Sequence, residues 1–261
     1  MADRPVPFAL VLALAILIAG AVLFVLTAGL RTGREAAPPA AADPAAMTGG
    51  EGYALWATRA DGTAARWNPC GPIRWVLNPA GAPDEAREVV TTALDRIGAV
   101  TGHTFQYQGL SDELPRPDRA PYQPDRYGET WAPVLIAWDR PHVRDLPLRT
   151  TDRAISIPVA IDGVFVSGQI VLNADQDLQP DFADRSRSWG ATLVHEAGHL
   201  VGLDHVDDPS QLMYRFPGEG LIRFGAGDLT GLSQVGRAAG GGACLDVGEP
   251  RPVAVNVGAR R

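Results

Sequence analysis

The sequence predicts a mixed domain of strands and helices, α/β or α+β, and not a β-sandwich. Three observations predict it: short apolar or alternating runs of strand type, longer runs with helical periodicity, and the interleaving of the two along the chain. Residues 73–77 (Ile-Arg-Trp-Val-Leu) alternate as a strand does, with Pro72 before them and Asn78-Pro79 after. Residues 83–100 read as a helix: Pro83, Asp84 and Glu85 suit its first turn, and Val89, Val90, Ala93, Leu94 and Ile97 share one face. Residues 104–107 form a second strand, and residues 109–133, rich in Pro, Asp and Arg, a long surface loop. Residues 134–138 read as a buried strand. Residues 154–173 give two more, with Gly163 and Gly168 at turns or bulges. A helix over 186–202 and a short one over 228–237 complete the order, and no repeat is visible.

With 261 residues, 46% of them hydrophobic and 20% charged, the chain has room for one sizeable core in one or two domains. The 23 basic residues, all Arg, are outnumbered by 30 acidic ones, for a net charge of −7. That balance argues against a nucleic-acid binder, which needs clustered positive charge to displace counterions from phosphates. Two cysteines exclude a disulfide-stapled miniprotein and a Cys-rich zinc finger.

Residues 8–30 run without a charge and are mostly Ala, Leu, Val and Ile, enough to cross a bilayer as a helix. The competing reading, a cleaved signal peptide, calls for a shorter apolar run; no small-x-small site stands out sharply, and Ala19-Gly20-Ala21 is the candidate. Arg4, offset by Asp3, precedes the run and Arg31 and Arg34 follow it, so the flanking charge does not orient it. The small, Pro-rich stretch that follows reads as a tether. The expected layout is therefore a tail (1–7), an anchor or signal (8–30), a linker (31–52) and one folded domain (53–261), with no propeptide of ordinary length ahead of it.

Three of the five histidines fall within one run, His195-Glu196-Ala197-Gly198-His199-Leu200-Val201-Gly202-Leu203-Asp204-His205. Residues four apart share a helix face, so His195 and His199 can offer imidazoles to one zinc ion. Gly202 permits a left-handed turn that brings His205 back as third ligand. Three protein ligands leave a position open for water, the arrangement of a catalytic site. Glu196, one residue from a ligand, is placed to take a proton from that water.

The run from His195 to His205 resembles the extended zinc signature of the metzincin metallopeptidases. Ser210-Gln211-Leu212-Met213-Tyr214 is similar to their Met-turn, in its matrixin form, and Gly227-Asp228-Leu229-Thr230-Gly231-Leu232 resembles the start of the matrixin C-terminal helix. The resemblance covers roughly residues 70–240, with sharp motifs over 195–214. It implies an α+β, metzincin-like zincin fold: a twisted, mainly parallel sheet of about five strands, two main helices and a small C-terminal subdomain below a cleft. It implies one catalytic Zn2+ on His195, His199 and His205, Glu196 as general base, Met213 as an apolar floor, and a pocket walled by Tyr214 and the loop to Phe224. The substrate implied is a protein or peptide added as a strand to the sheet edge, for which residues 166–172 are the expected segment. The resemblance also puts the domain outside the cytoplasm, held at the cell membrane by a single pass or secreted after cleavage.

The sequence departs from the matrixin pattern in places. Arg215 occupies the position two beyond the methionine where some metzincins carry a tyrosine. His103 and His142 are too few and too far apart for a second, structural zinc. Asn173, Asp175 and Asp177 alternate oxygen side chains in a way that can bind Ca2+, but a self-capped polar loop is the favoured reading. Pro69-Cys70-Gly71 faintly resembles a cysteine switch. Cys70 precedes the first strand by too little chain to reach the cleft, so a disulfide to Cys244 is favoured, as fits an oxidising compartment. The rivals to a peptidase are a non-catalytic surface-binding module that keeps zinc for stability and a hydrolase of a non-peptide cell-wall amide. Intact Glu196 counts against the first; the second shares the same chemistry. Tyr107, Tyr122, Tyr127 and Trp131, in and beside the long loop, are the aromatic candidates for recognition.

Overall fold

The computed structural model describes residues 52–184, 186–216 and 222–253. The expected tail, the 8–30 anchor or signal, nearly all of the linker and most of the loop ahead of Ile222 lie outside them. Among the described residues no helix is long and apolar enough to cross a membrane.

The fold is a mixed, mainly parallel sheet with a few helices. Strands β3 (Ile73–Leu77), β4 (Phe105–Leu110), β5 (Val134–Asp139) and β7 (Val164–Asn173) run parallel in the order β4-β3-β5-β7. β6 (Ala154–Ile161) lies antiparallel along the whole of β7. The two-residue strand β2 (Arg66–Trp67) pairs with the start of β7, ahead of the stretch that β5 takes. A second, two-stranded sheet joins β1 (Ala54–Leu55) to β8 (Leu203–Asp204).

Two expectations change here. β7 offers no free edge over 169–172, where β5 bonds one side of it and β6 the other, and over 166–168 β6 holds one side while Arg119 takes the Gly168 carbonyl. Its ten residues are all buried, as an inner strand requires. The hairpin turn Asp162-Gly163, both residues at positive φ, folds β6 back to become the outermost strand. Gly168 sits mid-strand opposite Pro158 and marks no turn. The irregularity falls at Val166, which has no partner between the Val159–Ser167 and Ala160–Phe165 pairs.

Helix α1 (Ala86–Thr101) buries Val89, Val90, Ala93, Leu94 and Ile97 and ends at Gly102 in the left-handed region. Packed with it on the same face of the sheet is α3 (Trp189–Val201), capped at its start by the Ser188 hydroxyl, which accepts from the Ala191 N–H at 3.1 Å. α3 is buried along its whole length apart from His195.

The opposite face is closed by loops, and the 109–133 segment is no mere surface excursion. It includes one helical turn, α2 (Pro124–Tyr127), and lays a buried ion pair on the sheet. Arg119 makes two 2.8 Å bonds to Glu113 and also donates to Ser167 Oγ, the Gly168 carbonyl and the Pro133 carbonyl. Tyr127 Oη and Gln123 Nε2 donate to the same carboxylate. Beside this network Leu146 and Leu148 cover Ile155, Ile157 and Val171. The physical reason is that a sheet with apolar side chains on both faces needs two covers, and only one is helical.

The last helix, α4 (Ala226–Val235), packs against α1 and α3. Beyond it, Cys244 is bonded to Cys70, 174 residues earlier, and Asn68 Nδ2 donates to the Leu245 carbonyl at 2.8 Å. No free thiol is present among the described residues.

Candidate metal centre and catalytic site

His195 and His199 lie one helical turn apart on α3 and present their rings on one side, with centroids 4.8 Å apart. The helix stops at Gly202, whose φ of 119° is open to glycine; a Cβ there would lie 3.0 Å from Phe165 Cε2 and 3.1 Å from the Ala65 carbonyl oxygen. The chain reverses through β8, where pairing with β1 holds Asp204 and Leu203 in register, and delivers His205. Its Nε2 lies 3.1 Å from Nε2 of both His195 and His199.

The other ring nitrogens explain how these atoms are oriented. Nδ1 of His195 donates to the Leu212 carbonyl and Nδ1 of His199 to the Leu203 carbonyl, each at 2.9 Å. With the proton held on Nδ1, the Nε2 lone pair points inward, the tautomer a metal ligand needs. Burial above all, with the charge of Arg215 adding to it, holds His205 down at about 3, which leaves its ring neutral. Three neutral imidazole lone pairs facing one another make no stable contact by themselves, and a cation between them resolves the clash. Among the described residues this is the only group of three or more His, Cys, Asp or Glu side chains that could hold a metal ion, and its all-imidazole donor set fits zinc.

Glu196 stands beside this group, 6% exposed, with Oε2 buried and without a hydrogen-bond partner. Burial, with the charge of Asp152 adding to it, raises its carboxyl to about 8. A divalent cation among the imidazoles would act in the opposite direction.

Met213 is buried beneath the histidines. A Cβ at Gly198 would lie 2.5 Å from its Sδ, so the glycine inside the motif is where the helix rests on the methionine. The turn carrying Met213 is pinned by Asp228, whose carboxylate accepts from the N–H groups of Leu212 (2.5 Å), Met213 (3.1 Å) and Gly225 (2.7 Å). Sequence reasoning quoted Asp228 without giving it this role; its one signal is an acid in the first turn of a helix. Trp56 was missed as well, and its ring lies edge-on to His199 at 5.6 Å.

A recess of about 510 Å3 opens in front of His195, Glu196 and His205. Tyr214 lines it and stacks edge-to-face with Phe216. Arg149, Asp152 and Arg153, just ahead of β6, also line it, as does Arg215, which is paired with Asp207 at 2.8 Å. The remaining candidates lie elsewhere. Asn173 is buried and its side chain serves the backbone of Asp152 and Asp175, while Asp175 pairs with Arg140. His103 is buried below α4, near the Val235 carbonyl, and His142 is exposed in a loop. Cys70 is in its disulfide.

The Matrixin family model matches residues 146–235, the stretch from the lining residues ahead of β6 through β6, β7, α3 and the three histidines to the end of α4. No curated protein matches the chain. The family match supports a metallopeptidase of the metzincin kind.

Proposed function

We propose that the chain is a zinc-dependent metalloendopeptidase that hydrolyses peptide bonds of extracellular proteins, with Glu196 as general base. One observation carries this reading: three imidazole Nε2 atoms converge beside a buried carboxylate oxygen without a hydrogen-bond partner. His195, His199 and His205 would hold the ion. Bound there, zinc supplies Lewis acidity, polarising the scissile carbonyl and making a water acidic near neutral pH. Glu196 takes the proton from the attacking water and passes it to the leaving amine. Met213 and Asp228 keep the histidines in register from below, and Tyr214 borders the pocket for the residue after the cut. The substrate strand lies along the outer edge of β6, where no strand pairs among the described residues. Residues 8–30 anchor the chain in the cell membrane with the domain outside, or are removed on secretion.

The test compares the purified full-length protein with Glu196→Ala on a broad peptide library, with metal measured in both. One zinc per chain in each, and cleavage about 10²–10⁴-fold faster in the parent, is the expected result. Zinc in both with equal silence would favour a binding module or a non-peptide amide as substrate. Absence of zinc would overturn the reading.

A further inference from the structure

A second recess, of about 950 Å3, shares no lining residue with the cleft. Tyr53, Arg59, Thr63, Arg66, Gln234 and Gly240 are among the residues around it. Arg66 is the unusual one. It is 8% exposed, its Nη1 is buried without a hydrogen-bond partner, and it belongs to none of the ion pairs among the described residues. A buried guanidinium without a counter-charge is strongly unfavourable, and removing the partner from such a pair ordinarily destabilises a fold.

The neighbouring side chains add positive charge. Arg59 also faces the recess, and its repulsion adds to the effect of burial in lowering the proton affinity of Arg66. The acid at the rim, Asp61, accepts from the N–H and hydroxyl of Thr63 at 2.9 and 2.6 Å.

Both arginines are held in place. The Arg66 N–H donates to the Gly163 carbonyl at 3.2 Å. The Arg59 stem lies against the same hairpin turn, where a Cβ on Gly163 would come 2.5 Å from Arg59 Cγ. Across the recess a Cβ on Gly240 would sit 2.7 Å from Arg66 Nη2, so it is a glycine that leaves room for the guanidinium. The tail that follows is fastened by the Cys70–Cys244 bond, and Leu245 completes the wall.

We propose that Arg66 and Arg59 form an oxyanion-binding site, separate from the metal centre, for a compact ligand presenting a carboxylate or a phosphate. The planar guanidinium fork suits two oxygens of either group. The side chains of Tyr53 and Gln234 add neutral donors around it.

The proposal is tested on the full-length protein by calorimetric titration and thermal unfolding in sodium phosphate and in sodium acetate, with sodium chloride at equal ionic strength as reference. A saturable heat is expected for at least one of the two oxyanions, with a Tm that keeps rising with its concentration as ligand linkage requires. The anion that binds more tightly identifies the chemistry. Arg66→Met should abolish the response, and Arg59→Gln should weaken binding about tenfold, as expected for one charge-assisted bond. If Arg66→Met does not fold, Arg66→Lys, which keeps the charge but loses the fork, should bind more weakly than the parent. Phosphate and acetate acting no more strongly than chloride would overturn the proposal, as would an undiminished response in Arg66→Met or, where that variant does not fold, in both Arg66→Lys and Arg59→Gln. Neither readout depends on peptidase activity.

Discussion

Glu113 and Glu196 are buried to almost the same extent, 8% and 6% exposed, on opposite faces of one sheet. Glu113 is surrounded by donors. Burial alone would raise its carboxyl, but Arg119, Tyr127 and Gln123 outweigh that and bring it below its ordinary range. Glu196 has a buried oxygen that no donor reaches, and burial with the charge of Asp152 takes it to about 8. Burial therefore does not separate a carboxylate that serves the fold from one left free to take a proton; the inventory of partners does. Glu113 closes the loop-covered face, and Glu196 is left available for a proton.

Exchanging each carboxylate for its amide should divide activity from stability. Glu196→Gln should cut peptide turnover by about 10²–10⁴-fold with the fold intact, whereas Glu113→Gln should leave turnover per folded molecule close to the parent. Equal rate losses in the two variants would remove the distinction. Arg119→Met leaves Glu113 buried and uncompensated and should cost about 3–5 kcal/mol in denaturant unfolding. A loss below about 1 kcal/mol would mean that the network is incidental.

The pH dependence should run in opposite directions. Glu113, held low in the fold, contributes stability that is present above its ordinary value of 4.5 and lost as pH falls through the lower folded value. Glu196 in chelator-treated protein is held high. Its contribution is present below 4.5 and lost as pH rises towards about 8. Thermal scans of metal-free protein should therefore show a Tm that declines over that range and a flatter profile in Glu196→Gln. Asp228 provides the smallest test. Its buried carboxylate is satisfied by backbone N–H groups, so Asp228→Asn, which keeps one acceptor, should cost about 1–2 kcal/mol and loosen metal binding, read by competition with a chelator.

Much of the site was legible because it is local. His195 and His199 share a helix face by spacing alone, and Gly202 announces the reversal that brings in His205. β3 and α1 were legible for the same reason, since each shows its own period and its own stop signals. Sheet pairing was not. β7 mixes Val, Phe, Ile and Leu with Ser167, Gln169 and Asn173, so its composition does not distinguish an edge from an inner strand, although all ten residues are buried, and only the Asp162-Gly163 hairpin places β6 outside it. Two-residue strands such as β1, β2 and β8 have no period to read. The role of Asp228 and the contact of Trp56 with His199 join parts of the chain far apart in sequence, and the 109–133 loop reads as polar because its charges are paired with each other in the fold.

The bond between Cys70 and Cys244 also governs what a cut does to the molecule. Those residues enclose the sheet's main strands, the helices and all three histidines, so a single break anywhere between them leaves two pieces still covalently joined. A molecule nicked once in an exposed loop keeps its pieces together and migrates as one species until it is reduced. If the proposed peptidase activity is turned on the protein itself, the disulfide turns a single such cut from the loss of a fragment into a concealed scar.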